Sequence, residues 1–236
     1  MTFIDEKQQK NFFDIEKNQY NIKLLIKSKY HTFLELKNIF DRVSYIYKNE
    51  PIIDFGSGTG RVAMFLLNKG YKINAVDISK KSLDNLKKVS SSLKLKQLQT
   101  FTAIPKGKKF KAIIGADILH HIDIDFYLPK FFDSLSKRGK VVFSEPGAFN
   151  LSWYLYLSIF YDWKVEKGLV QCSYFNLINK FKKYRFKKIK IVGLGLFPRP
   201  FFNWSKTLCQ LNDYLGNLPI LKLFAYRYII EAIKSS

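Results

Sequence analysis

From residue 51 onward, short apolar runs alternate with segments whose apolar positions recur every three or four residues. Runs at 52–55, 72–76, 98–101, 110–116 and 139–145 read as buried strands. Between them, residues 62–68 read as a helix ended by Gly70, and a helix capped by Ser79 runs to about residue 91. Residues 131–137 are assigned to a further helix. This alternation predicts an α/β fold: an open, mostly parallel sheet with helices on both faces. Before Pro51, residues 1–50 have a helical pattern and are expected to form an N-terminal helical lid. The sheet domain then occupies 51–236, with helical cap insertions near 147–180 and 201–225. Residues 185–195 read as a sixth strand and 226–234 as a closing one.

Ligands of such sheets sit at the carboxyl ends of the strands. Gly56–Gly60, Asp77, Ala116–Asp117 and Glu145–Pro146 all fall at predicted strand ends, so they are expected to line one edge. The stretch IIDFGSGTGRVA, from Ile52, carries three glycines at alternate positions between a strand and a helix. Bare backbone there lets a ligand approach closely. A P-loop is excluded, because no Lys follows Gly60 at the required place. GTGRVA, from Gly58, matches the dinucleotide pattern GxGxxA, but Asp54 would set a carboxylate against a pyrophosphate. A cationic, phosphate-free ligand reverses that sign. S-adenosylmethionine carries a sulfonium and an ammonium, and Asp54 suits the ammonium, directly or through water. The ligand's carboxylate suits the helix start after Gly60, with Arg61. Asp77 ends the second strand, where a carboxylate can accept from both ribose hydroxyls, and Ile78 can pack on an adenine face. NAD would also use Asp77, so that acid supports an adenosine ligand without separating the two.

These residues resemble the class I S-adenosylmethionine-dependent methyltransferases, in their small-molecule branch of types 11 and 12. IIDFGSGTG is similar to the first motif, AVDIS to the ribose-binding acid, FKAIIGADILHHI to the fourth-strand region, and LSKRGKVVFSEPGAFN to the fifth strand and its loop. The resemblance implies a Rossmann-like, seven-stranded fold and S-adenosyl-L-methionine as cofactor. It assigns cofactor binding to Asp54, Gly56, Ser57, Gly58, Gly60, Arg61, Asp77, Ile78, Ala116 and Asp117. Thr100 falls where the family often has an adenine-binding acid. Arg138-Gly139-Lys140 replaces the usual PGG turn. Methyl transfer is an in-line displacement that rests on alignment, and a hydroxyl acceptor also needs a base. His120, His121 and Glu145 are the catalytic candidates. Asn150 is weaker, and His31 reads as surface or packing.

Composition changes this picture in three respects. The net charge is +21, yet 34 of the 40 basic residues are Lys, spread along the chain. That pattern reads first as a solvated surface. A basic, aromatic stretch at 180–190 suits nucleic acid, or an edge strand guarded by Lys. An RNA-binding methyltransferase is therefore the alternative reading, ahead of a binding protein without turnover and an NAD-linked oxidoreductase. Second, Trp153, Tyr154, Tyr156, Phe160, Tyr161 and Trp163 load the cap with aromatics. They suit core packing, an apolar or lipid-linked acceptor, or peripheral contact with a membrane. Third, two distant cysteines, Cys172 and Cys209, suggest neither a disulfide framework nor a metal site. With no signal core and no apolar run long enough to span a bilayer, a cytoplasmic location is expected.

Overall fold

Residues 7, 10, 29–160 and 163–235 are described in a computed structural model. Of the lid expected over 1–50, residues 1–28 other than Lys7 and Lys10 lie outside the described residues, as does Tyr161. The elements in chain order are α1 (Tyr30–Val43), β1 (Ile52–Phe55), α2 (Arg61–Leu67), β2 (Ile73–Val76), α3 (Lys80–Ser92), β3 (Leu98–Phe101) and β4 (Phe110–Ala116). They continue with α4 (Ile124–Ser134), β5 (Leu135–Pro146), α5 (Leu151–Phe160), α6 (Trp163–Glu166), α7 (Tyr174–Lys183), β6 (Phe186–Leu194), α8 (Lys206–Asn217) and β7 (Arg227–Lys234). Short 3-10 turns at Leu119–His121, Lys167–Cys172, Arg199–Phe202 and Leu221–Phe224 join them.

The strands form one seven-stranded sheet in the order β3-β2-β1-β4-β5-β7-β6. β1 to β5 pair in parallel, and β7 inserts antiparallel between β5 and β6. Side chains alternate between the two faces, so each strand feeds two cores. Ile53, Ile113, Phe143 and Ile230 pack with Leu128 and Phe131 of α4 and Leu177 and Phe181 of α7. Their chain neighbours Ile52, Ile114, Val142 and Ile229 pack with Leu36 and Ile39 of α1, Leu66 of α2 and Leu86 of α3.

The expected helix over 131–137 ends at Ser134, and the expected turn at Arg138-Gly139-Lys140 is a bulge within β5. Buried Leu135 already pairs with Phe110, and regular pairing resumes at Lys140 with Ala112. Arg138 absorbs the extra length with a left-handed φ of 58°. β6 is the sheet edge, pairing with β7 alone among the described strands. In the basic stretch before and within it, Phe181 and Phe186 point into the core and Tyr184 bonds Asp125 through its hydroxyl at 2.7 Å. Lys187, Lys188 and Lys190 of β6 are exposed, and lysine on an edge strand discourages edge-to-edge pairing, while Lys180 and Lys183 of α7 pair with Asp125.

Candidate active site

A cleft of about 2310 Å³ opens over the carboxyl ends of β1, β2 and β4. It exceeds the roughly 300–1,000 Å³ of an ordinary small-molecule pocket, so it has room for two ligands. Gly56, Ser57, Gly58, Thr59 and Arg61 form one wall with Asp77 and Ile78. The wall is held by its own backbone. Asp77 accepts from the Gly58 amide at 2.7 Å and from the Ser79 amide at 2.8 Å, tying the glycine turn to the start of α3. Gly58, at φ 48°, has nothing within 4 Å of where a Cβ would stand. That leaves a bare-backbone cradle of the kind a methionine moiety requires.

The remaining candidates on this side are placed differently from expectation. Gly60 is absent from the wall: a Cβ there would meet Leu86 at 2.3 Å, so this glycine serves the packing of α2 on α3. Thr100 lies within β3, paired with Ala75, and the cleft begins only at Thr102 in the following loop. Asp54 does not reach the cleft either. It takes the sheet face of Ile52, beneath the start of α2, where its carboxylate is buried with no side-chain partner at hydrogen-bond distance among the described residues and the Ala63 backbone amide nearby. Burial pushes its carboxyl up to about 7, against a smaller opposing effect from the Ala63 amide. Direct contact with a ligand ammonium is therefore not available to Asp54.

Ala116 and Asp117 do line the cleft, but Asp117 is already engaged. Its two oxygens meet Arg61 Nη2 and Arg227 Nη2, each at 2.5 Å. Burial alone would raise its pKa, yet the two guanidiniums hold it well below the usual carboxylate range. Buried Glu35 of α1 joins the cluster, 3.4 Å from Arg227 and 3.6 Å from Arg61, and accepts from Ser144 Oγ at 2.6 Å. Arg199 lies 3.9 Å from Glu35 and binds Asp213 through two nitrogens at 2.7 and 2.9 Å. No motif spacing announces Glu35, Arg199 or Arg227. The available signal was composition: only six arginines occur among 40 basic residues, and three of them converge here, where a planar fork suits carboxylates.

On the facing wall the two histidines have opposite states. His120 is buried with Nδ1 2.7 Å from Glu145 and Nε2 3.4 Å from Glu166. Burial opposes its charge, but the hydrogen bonds to both carboxylates outweigh it and push the imidazolium up to about 10. As a proton acceptor near neutrality His120 is thus already spent. His121 lies against it with its ring tilted by 43°, ring centres 3.9 Å apart. Burial, then the neighbouring His120 charge, push His121 well below its ordinary value, so it is a neutral imidazole lining the cleft. Glu145 does not face an acceptor. Its Oε1 accepts from the Ile118 and Leu119 amides at 2.9 and 2.8 Å, holding the turn that carries both histidines. Asn150 is also structural, donating to the Leu196 and Phe224 carbonyls at 2.9 and 2.7 Å. His31 lines the cleft beside Asn203, 3.3 Å away, rather than lying on the surface. Burial and Glu145 push the Cys172 thiol up, which removes it as a nucleophile. Trp153 stacks on Tyr226 at 4.4 Å and completes an apolar wall with α5.

Residues 53–141 match the family model of a methyltransferase domain. The sheet order agrees with that match, and the fold recurs in solved methyltransferase structures. The fold is shared with phosphoethanolamine N-methyltransferase 2 of Haemonchus contortus, crystallised with S-adenosyl-L-methionine (TM-score 0.65, 17% identity, 97% of this chain and 60% of that one). It is shared too with geranyl diphosphate C-methyltransferase of Streptomyces coelicolor A3(2), in complex with Mg2+, a geranyl diphosphate analogue and S-adenosyl-L-homocysteine (0.69, 11%, 99% and 98%). A third relative is a putative methyltransferase from Bacillus halodurans C-125 (0.61, 14%, 86% and 100%). The chain thus spans 60% of the length of the nematode enzyme. No curated protein matches its sequence.

Proposed function

We propose that the protein methylates a hydroxyl of a small, largely apolar or lipid-linked acceptor, with S-adenosyl-L-methionine as donor and His121 as base. The observation that carries this reading is the cleft itself. One continuous space has the glycine turn and Asp77 on one wall, and a neutral His121 with an apolar, aromatic wall on the other. The turn from Gly56 to Thr59 and the Asp77 carboxylate are the groups to hold the methionine and ribose portions, with Ile78 against adenine. When bound, the cofactor supplies an activated methyl group on a sulfonium. His121 takes the acceptor's proton, and the cationic His120 beside it stays fixed between Glu145 and Glu166. The apolar wall excludes water and narrows the acceptor's orientations. The two named relatives act on small molecules, and geranyl diphosphate joins an apolar chain to an anionic head. The same cleft is lined both by that apolar wall and by Lys106, Lys108 and Lys130.

The test begins with calorimetric titration of S-adenosylmethionine beside NAD, on wild type and Asp77→Ala. Saturation by the first alone, weakened in the variant, is expected. Labelled-methyl turnover on a panel of apolar alcohols and matched amines then follows. Saturation by NAD alone overturns the cofactor, and turnover of amines alone overturns the hydroxyl acceptor.

A further inference from the structure

Helix α5, LSWYLYLSIF, contains no charged residue. A short helix that is apolar all round belongs in a core. This one is packed on one side only. Trp153 stacks on Tyr226 and Leu157 is buried, but Leu151, Leu155 and Ile159 are 80%, 65% and 62% exposed. Their spacing of four residues puts them in one outward stripe. The stripe continues into neighbouring segments. Asn150, just before α5, bonds the Leu196 and Phe224 carbonyls, drawing together α5, the loop after β6 and the turn before β7. That loop and turn expose Phe201 (73%), Trp204 (76%) and Phe224. Leu151, Leu155, Ile159 and Phe201 also line the cleft, so the exposed apolar surface is the rim of its mouth.

We infer that this rim docks the protein on an anionic phospholipid surface, with the cleft opening toward the lipid. A contiguous apolar rim of this kind is uncommon on a monomer that meets only water. Trp, Phe and Leu on a short helix and its flanking loops are the residues that enter a headgroup boundary. The occupant's sign follows from charge. The chain carries +21, and exposed Lys29 at the cleft and Lys206 beside Trp204 flank the rim. Basic residues near an anionic leaflet strengthen attachment, and salt weakens it within a Debye length. Only the link to the acceptor rests on the function proposed above: an amphiphile in the leaflet can present its polar end to His121 while its tail stays in lipid.

The experiment is co-sedimentation of the full chain with vesicles of phosphatidylcholine alone and of phosphatidylcholine mixed equally with phosphatidylglycerol. Wild type is expected to partition about ten-fold or more strongly onto the mixed vesicles, and to lose that preference as salt rises. The Leu155→Glu/Ile159→Glu double variant and, separately, Trp204→Ser are each expected to weaken partition about ten-fold, in line with lost interfacial burial. Retained far-ultraviolet circular dichroism and S-adenosylmethionine titration of each variant separate this from misfolding. Absence of vesicle binding in protein that still binds the cofactor overturns the inference. So does binding that both variants leave intact, which would be charge alone, or a dimer in solution that the same substitutions dissociate, which would put a second copy on the rim. Lost cofactor binding with vesicle binding kept would instead sink the methyltransferase reading alone.

Discussion

On the cofactor wall, residues 56–78 supply a backbone turn, one carboxylate and one apolar side chain, all from adjacent strands and held by hydrogen bonds of 2.7 and 2.8 Å. On the facing wall, His120 is held as a cation by Glu145 and Glu166, which reach it from later elements of the chain, and burial with that neighbouring charge keeps His121 neutral. The first wall is defined by where the backbone goes. The second is defined by which charges are desolvated together. Substitutions should therefore act on ligand affinity in the first and on stability or proton transfer in the second.

The largest effect is expected at His120. His120→Gln leaves two buried carboxylates without their cation and should lower stability by about 3–5 kcal/mol at pH 7, measured by urea unfolding. The sign with pH follows from its raised pKa of about 10 against an ordinary 6.5. The stabilisation is complete below 6.5 and is lost as pH rises through 10, so wild-type stability should fall across that window and the variant's should not. Next is His121→Gln, expected to lower kcat by about 10²–10³-fold with cofactor affinity nearly unchanged, the mark of a lost base. A variant of undiminished kcat would leave the facing wall a matter of shape alone.

Asp77→Ala should weaken cofactor binding by about 100-fold, since it removes charge-assisted bonds to a ligand and loosens the glycine turn. Asp54→Asn makes the contrast, with calorimetry as the common readout. It should leave affinity within about three-fold, because Asp54 does not reach the cleft, a difference of well under 1 kcal/mol. Its effect is on stability, and it is the smallest here. A carboxyl raised to about 7 from an ordinary 3.8 favours the fold when protonated and loses that contribution as pH climbs through 7. Asp54→Asn should thus stabilise the protein at pH 8 by about 1–3 kcal/mol and not at pH 4, seen by thermal unfolding. Equal losses of affinity at Asp54 and Asp77 would erase the distinction between the two positions.

Much of the sheet was legible because strand positions announce themselves through side chains buried on both faces, as at 52–55 and 73–76. The miss at 131–140 came from a bulge, whose cause is Leu135 pairing with Phe110 across the sheet. Among site residues, the position of Asp77 at a strand end was readable, since it depends on neighbours within a few residues. Gly60 turns toward the packing of α2 on α3, and Thr100 stops two residues short of the cleft. The reason to keep glycine at 60 is Leu86, and the cleft starts beyond the end of β3. His120 and His121 are identical letters side by side. One is a clamped cation and the other a neutral ring.

The sequence by itself determined the alternation of strands and helices, the glycine turn with its spaced acid, and the absence of a phosphate-binding lysine. Each is a local property, set by periodicity of two or 3.6 and by what glycine's backbone permits. Only the tertiary structure decided that Asp54 is kept out of the cleft lining, that Glu145 holds a turn instead of facing an acceptor, and that Glu35, Arg61, Asp117, Arg199 and Arg227 form one ion-pair network running from the core to the cleft. Charge state and role at those positions follow from desolvation and from partners as many as 192 residues away in the chain, Glu35 and Arg227 among them, and no local pattern encodes either.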